Sequence, residues 1–357
     1  MTRFFPLRVS DIRRETADCV SVALEPTDDH RPRFQFKQGQ YLTLRTTIDG
    51  QEVRRSYSLC SSPLDGELRV AIKKVPGGLF STFANESLNV GDTLEAMPPD
   101  GRFYTEVGGS EGRHYAAFAA GSGITPILSI LKTVLQAEPN STFTLFYGNR
   151  TTDSIIFHEE LEGLKNRFLG RLSLHYVLSR EYLDSPLFSG RIDGEKSAAF
   201  CRLLLRPQLV DEFFLCGPEE MIHEVRDTLL EQGVDRKRIH LELFGTGLAQ
   251  TEARRRREAV GGPEVVTTVE LTLDGKTVSF PLSSRTETLL DAALRHGADL
   301  PYACKGGVCC TCRAKLREGK VDMDVNYALE PEEVEAGYIL TCQAHPLTER
   351  IVVDFDA

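Results

Sequence analysis

The chain is 357 residues long with a formal net charge of −10. That length exceeds what one hydrophobic core serves and predicts two or three domains, and the acidic balance excludes the basic surface that nonspecific nucleic-acid binding needs. There is no secretory signal and no apolar run long enough to span a bilayer, so the expectation is a soluble, cytoplasmic protein.

Residues 1–104 are rich in short alternating runs, such as Tyr41 to Thr46 and Leu68 to Lys73, separated by turn residues. This pattern predicts a small antiparallel β-barrel. Within it, Arg55-Ser56-Tyr57-Ser58 offers a cation, an aromatic ring and two hydroxyls. Alternation on a strand places Arg55 and Tyr57 on one face and Ser56 and Ser58 on the other. A flavin needs such groups: a flat surface against its ring, a hydrogen-bonding group near its reactive nitrogen, and cations or backbone N–H groups for its pyrophosphate. Further on, Gly77-Gly78-Leu79-Phe80-Ser81 opens a helix and supplies backbone donors and a hydroxyl to a phosphate. Taken singly, R-x-Y-S is an ordinary strand and a glycine pair before a helix is an ordinary turn.

From 105 to 245, strands alternate with helices, which predicts a parallel sheet with crossover helices. Tyr115 to Ala120 is apolar throughout, as in a buried strand. It runs into Gly121-Ser122-Gly123-Ile124-Thr125-Pro126 and a helix from Ile127 to Leu135, with Thr125 placed to cap and Pro126 in the first turn. Later strands end in Gly148-Asn149-Arg150, Ser179-Arg180 and Cys216-Gly217-Pro218, at the sheet edge where open α/β sheets bind ligands. Glu242-Leu243-Phe244 closes the segment.

In this order the motifs resemble the ferredoxin–NADP reductase family. The resemblance implies that R-x-Y-S and G-G-x-x-S bind FAD, that Cys216 approaches the nicotinamide and helps set hydride geometry, and that Phe244 lies beside the flavin. It also places Ser179 and Arg180 at the adenosine ribose, where a cation and a hydroxyl suit the 2′-phosphate of NADPH. Arg180-Glu181 as a solvated surface pair, NADH in place of NADPH, and FMN in place of FAD remain open at this point.

Residues 246–263 read as a linker, with glycines, lost periodicity and the run Arg254-Arg255-Arg256-Arg257. Residues 264–357 hold 16 acidic and 9 basic side chains, so most of the excess acid lies there. Two strands, Val265 to Leu273 and Thr277 to Leu282, meet at Asp274-Gly275, a hairpin signal. A helix follows with Thr286 as cap, an apolar stripe of Leu289, Leu290, Ala293 and Leu294, and Gly297 as its end. Then come Cys304, Cys309 and Cys312, a C-x4-C-x2-C run, and the distant Cys342. This is the plant-type ligand pattern of a [2Fe–2S] cluster. Zinc also takes C-x-x-C, but its pairs recur as two short couplets. Cys310 is an alternative to Cys309 that the register disfavours. Cys19, Cys60 and Cys201 read as buried, inert thiols.

Hairpin, helix, cysteine loop and closing strands resemble the β-grasp fold of plant-type ferredoxins. A two-electron donor and a one-electron cluster need a flavin between them, so the expected route runs from NADPH through FAD to the cluster and on to a separate acceptor. The chain has E-x-x-H at Glu111 to His114, which runs into the apolar strand, and at Glu220 to His223, where a di-iron site needs two on helices, and no haem signature is visible, so oxygen is expected to be activated elsewhere. Flavin domain first and ferredoxin last resembles the reductases of multicomponent oxygenases. The stretches 303–312, 324–330 and 342–346, with Tyr147 to Arg150 and Leu178 to Glu181, resemble the reductases of ring-1,2-phenylacetyl-CoA epoxidases. That resemblance implies a di-iron epoxidase as acceptor, in phenylacetate degradation. Another hydroxylase reductase and a redox sensor are the alternatives.

Overall fold

The computed structural model describes residues 4–109, 111–244, 266–283 and 287–357. They divide into two compact units, Phe4–Phe244 and the residues from 266 onward. The expected linker, its arginine run and the expected cap Thr286 lie outside the described residues.

The first unit begins with β1 (Phe5–Thr16), β2 (Cys19–Pro26), β3 (Tyr41–Ile48), β4 (Gln51–Ser58), β5 (Leu68–Lys73), the helix α1 (Leu79–Glu86) and β6 (Thr93–Ala96). Six antiparallel strands lie in the order β4-β3-β6-β1-β2-β5. Leu59, just past β4, pairs with Val70 on β5, so the sheet closes on itself as a barrel. Alternation drives the closure: Phe5, Leu7 and Val9 of β1 face inward, against Val22, Leu42, Leu44 and Leu94.

The rest of that unit is a five-stranded parallel sheet. Its strands are β7 (His114–Ala120), β8 (Thr142–Asn149), β9 (Leu172–Leu178), β10 (Glu212–Gly217) and β11 (Ile239–Leu243). Between them run α2 (Ile124–Ala137), α3 (His158–Arg167), α4 (Gly194–Leu203) and α5 (Glu219–Glu231). The order β11-β10-β7-β8-β9 means the chain winds outward one way from β7 and then resumes on its other side with β10. The crevice at the carboxyl ends of β7 and β10 is therefore the switch point at which such sheets bind ligands. The helix α2 is buried almost all round, because it lies between this sheet and the barrel. Ser129 donates to Ser61 O at 2.6 Å, the Ser62 and Thr133 hydroxyls meet at 2.8 Å, and Lys132 pairs with Asp65 at 2.7 Å.

The second unit contains β12 (Val266–Leu273), β13 (Lys276–Ser283), α6 (Leu289–Arg295), β14 (Arg313–Glu318), β15 (Val321–Met323), α7 (Pro331–Glu335), β16 (Tyr338–Leu340), β17 (Ala344–Pro346) and β18 (Arg350–Asp354). The main sheet runs β13-β12-β18-β14-β16, with β12 and β18 parallel, and α6 packs into it through Leu289, Leu290 and Ala293. Asp274 and Gly275 both take positive φ, 51° and 69°, as the tight hairpin between β12 and β13 demands. Thr288 caps α6 by accepting from the Asp291 N–H. Gly297 ends it at φ 84°, with its N–H on Leu294 O and that of Ala298 on Ala293 O, a Schellman closure.

Candidate functional site

In the barrel, β4 carries the R-x-Y-S motif and α1 follows the glycine pair, and the two meet where Tyr57 packs on Phe80 with ring centroids 5.4 Å apart. Arg55 is exposed, and Ser58 is buried. Ser56 shares a 3.3 Å hydrogen bond with Thr43 across the β3–β4 pair. Gly77 has φ 73°, and a Cβ on Gly78 would sit 2.6 Å from Ser81 Oγ, so the loop needs glycine twice. The Ser81 hydroxyl accepts from Val75 N–H and donates to Gly78 O. It therefore shapes the loop. No side chain caps α1, which leaves its first-turn N–H groups to serve an anion. The residues fit a flavin nucleotide: an aromatic wall, paired hydroxyls, a cation and an open helix start.

At the switch point, Gly121 to Gly123 form a 3₁₀ turn that runs straight into α2. Helix α2 thus begins three residues before the Ile127 start read from the sequence, and Thr125 is not its cap. Thr125 lies buried in the first turn and donates to Ser122 O at 3.0 Å, because the chain tightens into 3₁₀ geometry there and the cap position falls on Gly123. Gly121 takes φ 54°, and its carbonyl accepts from the Tyr147 hydroxyl at 2.9 Å. A Cβ on Gly123 would lie 2.1 Å from Cys216 O, and one on Gly217 would lie 2.6 Å from Met221 Cε. Replacing Gly123 with alanine should therefore lower unfolding free energy by about 1–3 kcal/mol, as overpacking does, in a urea titration. Unchanged stability would mean that this close approach does not hold.

Cys216 is wholly buried, paired in register with Ala119 and Glu242, and packs in the cluster that Phe244 also joins. Burial pushes its thiol well above the ordinary value, with Glu242 adding to the effect. The thiol is neutral whenever the pH lies below that raised value, so its part is that of a wall rather than a base. The expected result is a pH profile of kcat with no thiol ionisation, identical in shape for Cys216→Ser. A limb that vanishes in the variant would contradict it.

On the other flank, the backbone pairing of β8 and β9 continues past both strands: Ser179 N–H donates to Asn149 O and Arg180 N–H to Arg150 O, at 2.9 and 2.8 Å. This sets exposed Arg150, Ser179 and Arg180 side by side at the carboxyl edge. Glu181 turns away, accepting from Thr152 N–H and Thr152 Oγ1, each at 2.7 Å. Barrel strand β5 packs against the Gly121–Gly123 turn, so the barrel adjoins the nucleotide edge.

In the second unit the four thiols of the C-x4-C-x2-C…C pattern converge. Cys309 Sγ lies 3.1 Å from Cys304 Sγ, Cys304 touches Cys342, and Cys342 touches Cys312. Hydrogen bonds from the Cys309 and Cys342 thiols, and from the Gly306 and Val308 backbone, outweigh burial and hold the Cys304 thiol below its ordinary value. Four adjacent thiols are the donor set that a binuclear iron–sulfur cluster takes. Cys310 Sγ donates to Ala328 O at 3.3 Å. The thiols fit a [2Fe–2S] cluster, and the loop is built for it: Lys305 and Gly307 take φ 51° and 72°, and a Cβ on Gly307 would lie 2.9 Å from Val325.

Three family models match along the chain. Residues 7–104 match an oxidoreductase FAD-binding domain, 118–227 an oxidoreductase NAD-binding domain, and 271–347 a 2Fe-2S iron-sulfur cluster binding domain. The chain is 47% identical over 358 residues to a subunit of the 1,2-phenylacetyl-CoA epoxidase of Escherichia coli (strain K12), covering 100% of this chain and 99% of that relative. It is 36% identical to the ferredoxin reductase component of 3-ketosteroid-9-alpha-monooxygenase of Rhodococcus rhodochrous, covering 98% and 96%. The chain belongs to the family of flavin and [2Fe–2S] reductase components of multicomponent oxygenases. The reductase also shares its fold with phthalate dioxygenase reductase, at a TM-score of 0.62 and 21% identity over 99% of this chain and 98% of that one.

Several groups that build the reductase's sites escape a sequence reading. Tyr147 props a glycine turn 26 residues before it, and Glu181 buttresses a turn 29 residues away. Residues 324–330 fold against the thiol loop through Tyr327 N–H on Gly307 O and Asp324 N–H on Gln343 O. None of these contacts follows a local period. Tyr182, two residues past Arg180, is 95% exposed.

Proposed function

We propose that this reductase draws electrons from NADPH and delivers them, through FAD and a [2Fe–2S] cluster, to a di-iron epoxidase acting on phenylacetyl-CoA. The observation that carries the donor is the Arg150–Ser179–Arg180 edge, from which the nearby carboxylate of Glu181 is withdrawn. Two guanidinium groups and a hydroxyl suit a 2′-phosphate, whereas an acidic group at that place would repel it. Full-length similarity to a component of phenylacetyl-CoA epoxidase supports the acceptor. Nine cysteines with no disulfide among them support a reducing, cytoplasmic setting.

Bound at these sites, NADPH supplies hydride, FAD turns an electron pair into single electrons, and the cluster carries one electron at a time. The chain's residues do the rest. Gly121, Thr125 and Gly217 shape the nucleotide turn, Arg150, Ser179 and Arg180 hold the ribose phosphate, and Cys216 and Phe244 wall the nicotinamide. Arg55, Ser56, Tyr57, Ser58, Gly77, Gly78 and Ser81 form the flavin site, with Ser81 acting through its loop. Cys304, Cys309, Cys312 and Cys342 are the iron ligands. The division into 1–104, 105–245, a linker 246–263 and 264–357 assigns one cofactor to each folded part.

Purified oxygenase components of the epoxidase, phenylacetyl-CoA and this chain should together couple NADPH oxidation to epoxide formation. NADPH oxidation without product, alongside product formation when another oxygenase is supplied, would reassign the acceptor.

A further inference from the structure

The carboxamide of Gln343 lies next to ligand Cys342 and is 1% exposed. Its Nε2 donates to Lys305 O at 2.8 Å and to Cys342 Sγ at 3.4 Å. An amide nitrogen carries two hydrogens, so both bonds form at once. The Oε1 is buried without a partner among the described residues. Turning the amide over would not cure this, since it would set Oε1 against a carbonyl and a sulfur, both acceptors. The orientation is therefore fixed by chemistry, at the cost of one unsatisfied oxygen.

We infer that Gln343 is a positioning residue that sets the reduction potential of the cluster, by directing an N–H at the Cys342 sulfur while clamping the backbone that carries Cys304. Reduction adds one electron to the cluster and its thiolates, so a donor aimed at a ligand sulfur stabilises the reduced form and raises the potential. The second bond holds Lys305 at φ 51°, a conformation costly for a residue with a side chain, and so fixes the loop between Cys304 and Cys309. One side chain thus joins the distant fourth ligand to the loop of the other three. The inference rests on the four thiols being the cluster ligands, and iron content separates the two.

The test uses the full-length holoprotein. Gln343→Leu and Gln343→Glu should keep their iron but shift the one-electron equilibrium about tenfold toward the oxidised cluster, equivalent to about 59 mV downward, in an EPR-monitored redox titration. The flavin couple in the same titration should not move. Gln343 is the only glutamine between 264 and 357. Wild-type holoprotein labelled with 15N in glutamine side-chain amides should therefore show a 15N coupling in pulsed EPR of the reduced cluster, a readout that survives if the variants fail to fold. Iron-loaded variants at the wild-type potential, or no such coupling in the wild type, would overturn the inference. A wild-type chain without iron would overturn the cluster reading itself.

Discussion

Cys304→Ala should strip the iron and the iron–sulfur absorption from the chain and reduce electron delivery to a one-electron protein acceptor to the background rate. NADPH-driven reduction of a small dye at the flavin should persist. The expectation follows from geometry. Cys304 is the thiol that touches both Cys309 and Cys342, and it receives the Gly306 N–H at 3.2 Å, so its loss breaks the string of sulfurs at an inner link. It is also the most exposed of the four, which keeps the packing cost of the change low. Cys310→Ala is the control. Its sulfur donates to Ala328 O and the C-x4-C-x2-C register passes over it, so iron content and electron delivery should match the wild type. A Cys310→Ala chain without iron would reverse the assignment of Cys309 and Cys310.

Arg180→Ala should raise KM for NADPH by roughly 10- to 100-fold, the value of one lost hydrogen bond to a charged group, while KM for NADH stays near its starting value. Arg180→Glu should go further, since it sets a carboxylate against the 2′-phosphate and inverts the preference between the two nucleotides. The structure makes this pair of variants informative because Glu181 is tied to Thr152, so the introduced charge is new to the edge. Steady-state kinetics with both nucleotides decide. Equal losses for NADPH and NADH would place Arg180 outside the phosphate site.

The sequence is most legible where structure is local. Strand β5 spans the Leu68 to Lys73 run read from alternation alone, and the Asp274-Gly275 hairpin and the Gly297 stop of α6 rest on backbone conformations that those residues favour. The thiol pattern announces itself because four soft ligands must recur at one spacing around a cluster. The start of α2 is misread because 3₁₀ geometry moves the cap, and Thr125 is a good cap residue in a position that does not need one. The Ser81 hydroxyl ties Val75 N–H to Gly78 O, a loop bond that the G-G-x-x-S spacing does not announce. Barrel closure through Leu59 and Val70, the prop from Tyr147 and the Gln343 clamp all join residues far apart in the chain, and no periodicity records them.

The central claim is that one chain takes an electron pair from a nicotinamide nucleotide and releases it singly through iron and sulfur. Anaerobic addition of NADPH to the purified chain, followed by absorbance and EPR together, tests it most directly. Flavin and iron–sulfur absorbance should bleach, and the EPR signal of a reduced [2Fe–2S] cluster should grow toward one spin for every two irons bound. A chain whose flavin bleaches while its iron–sulfur centre stays oxidised, or one that carries neither chromophore, would contradict the account.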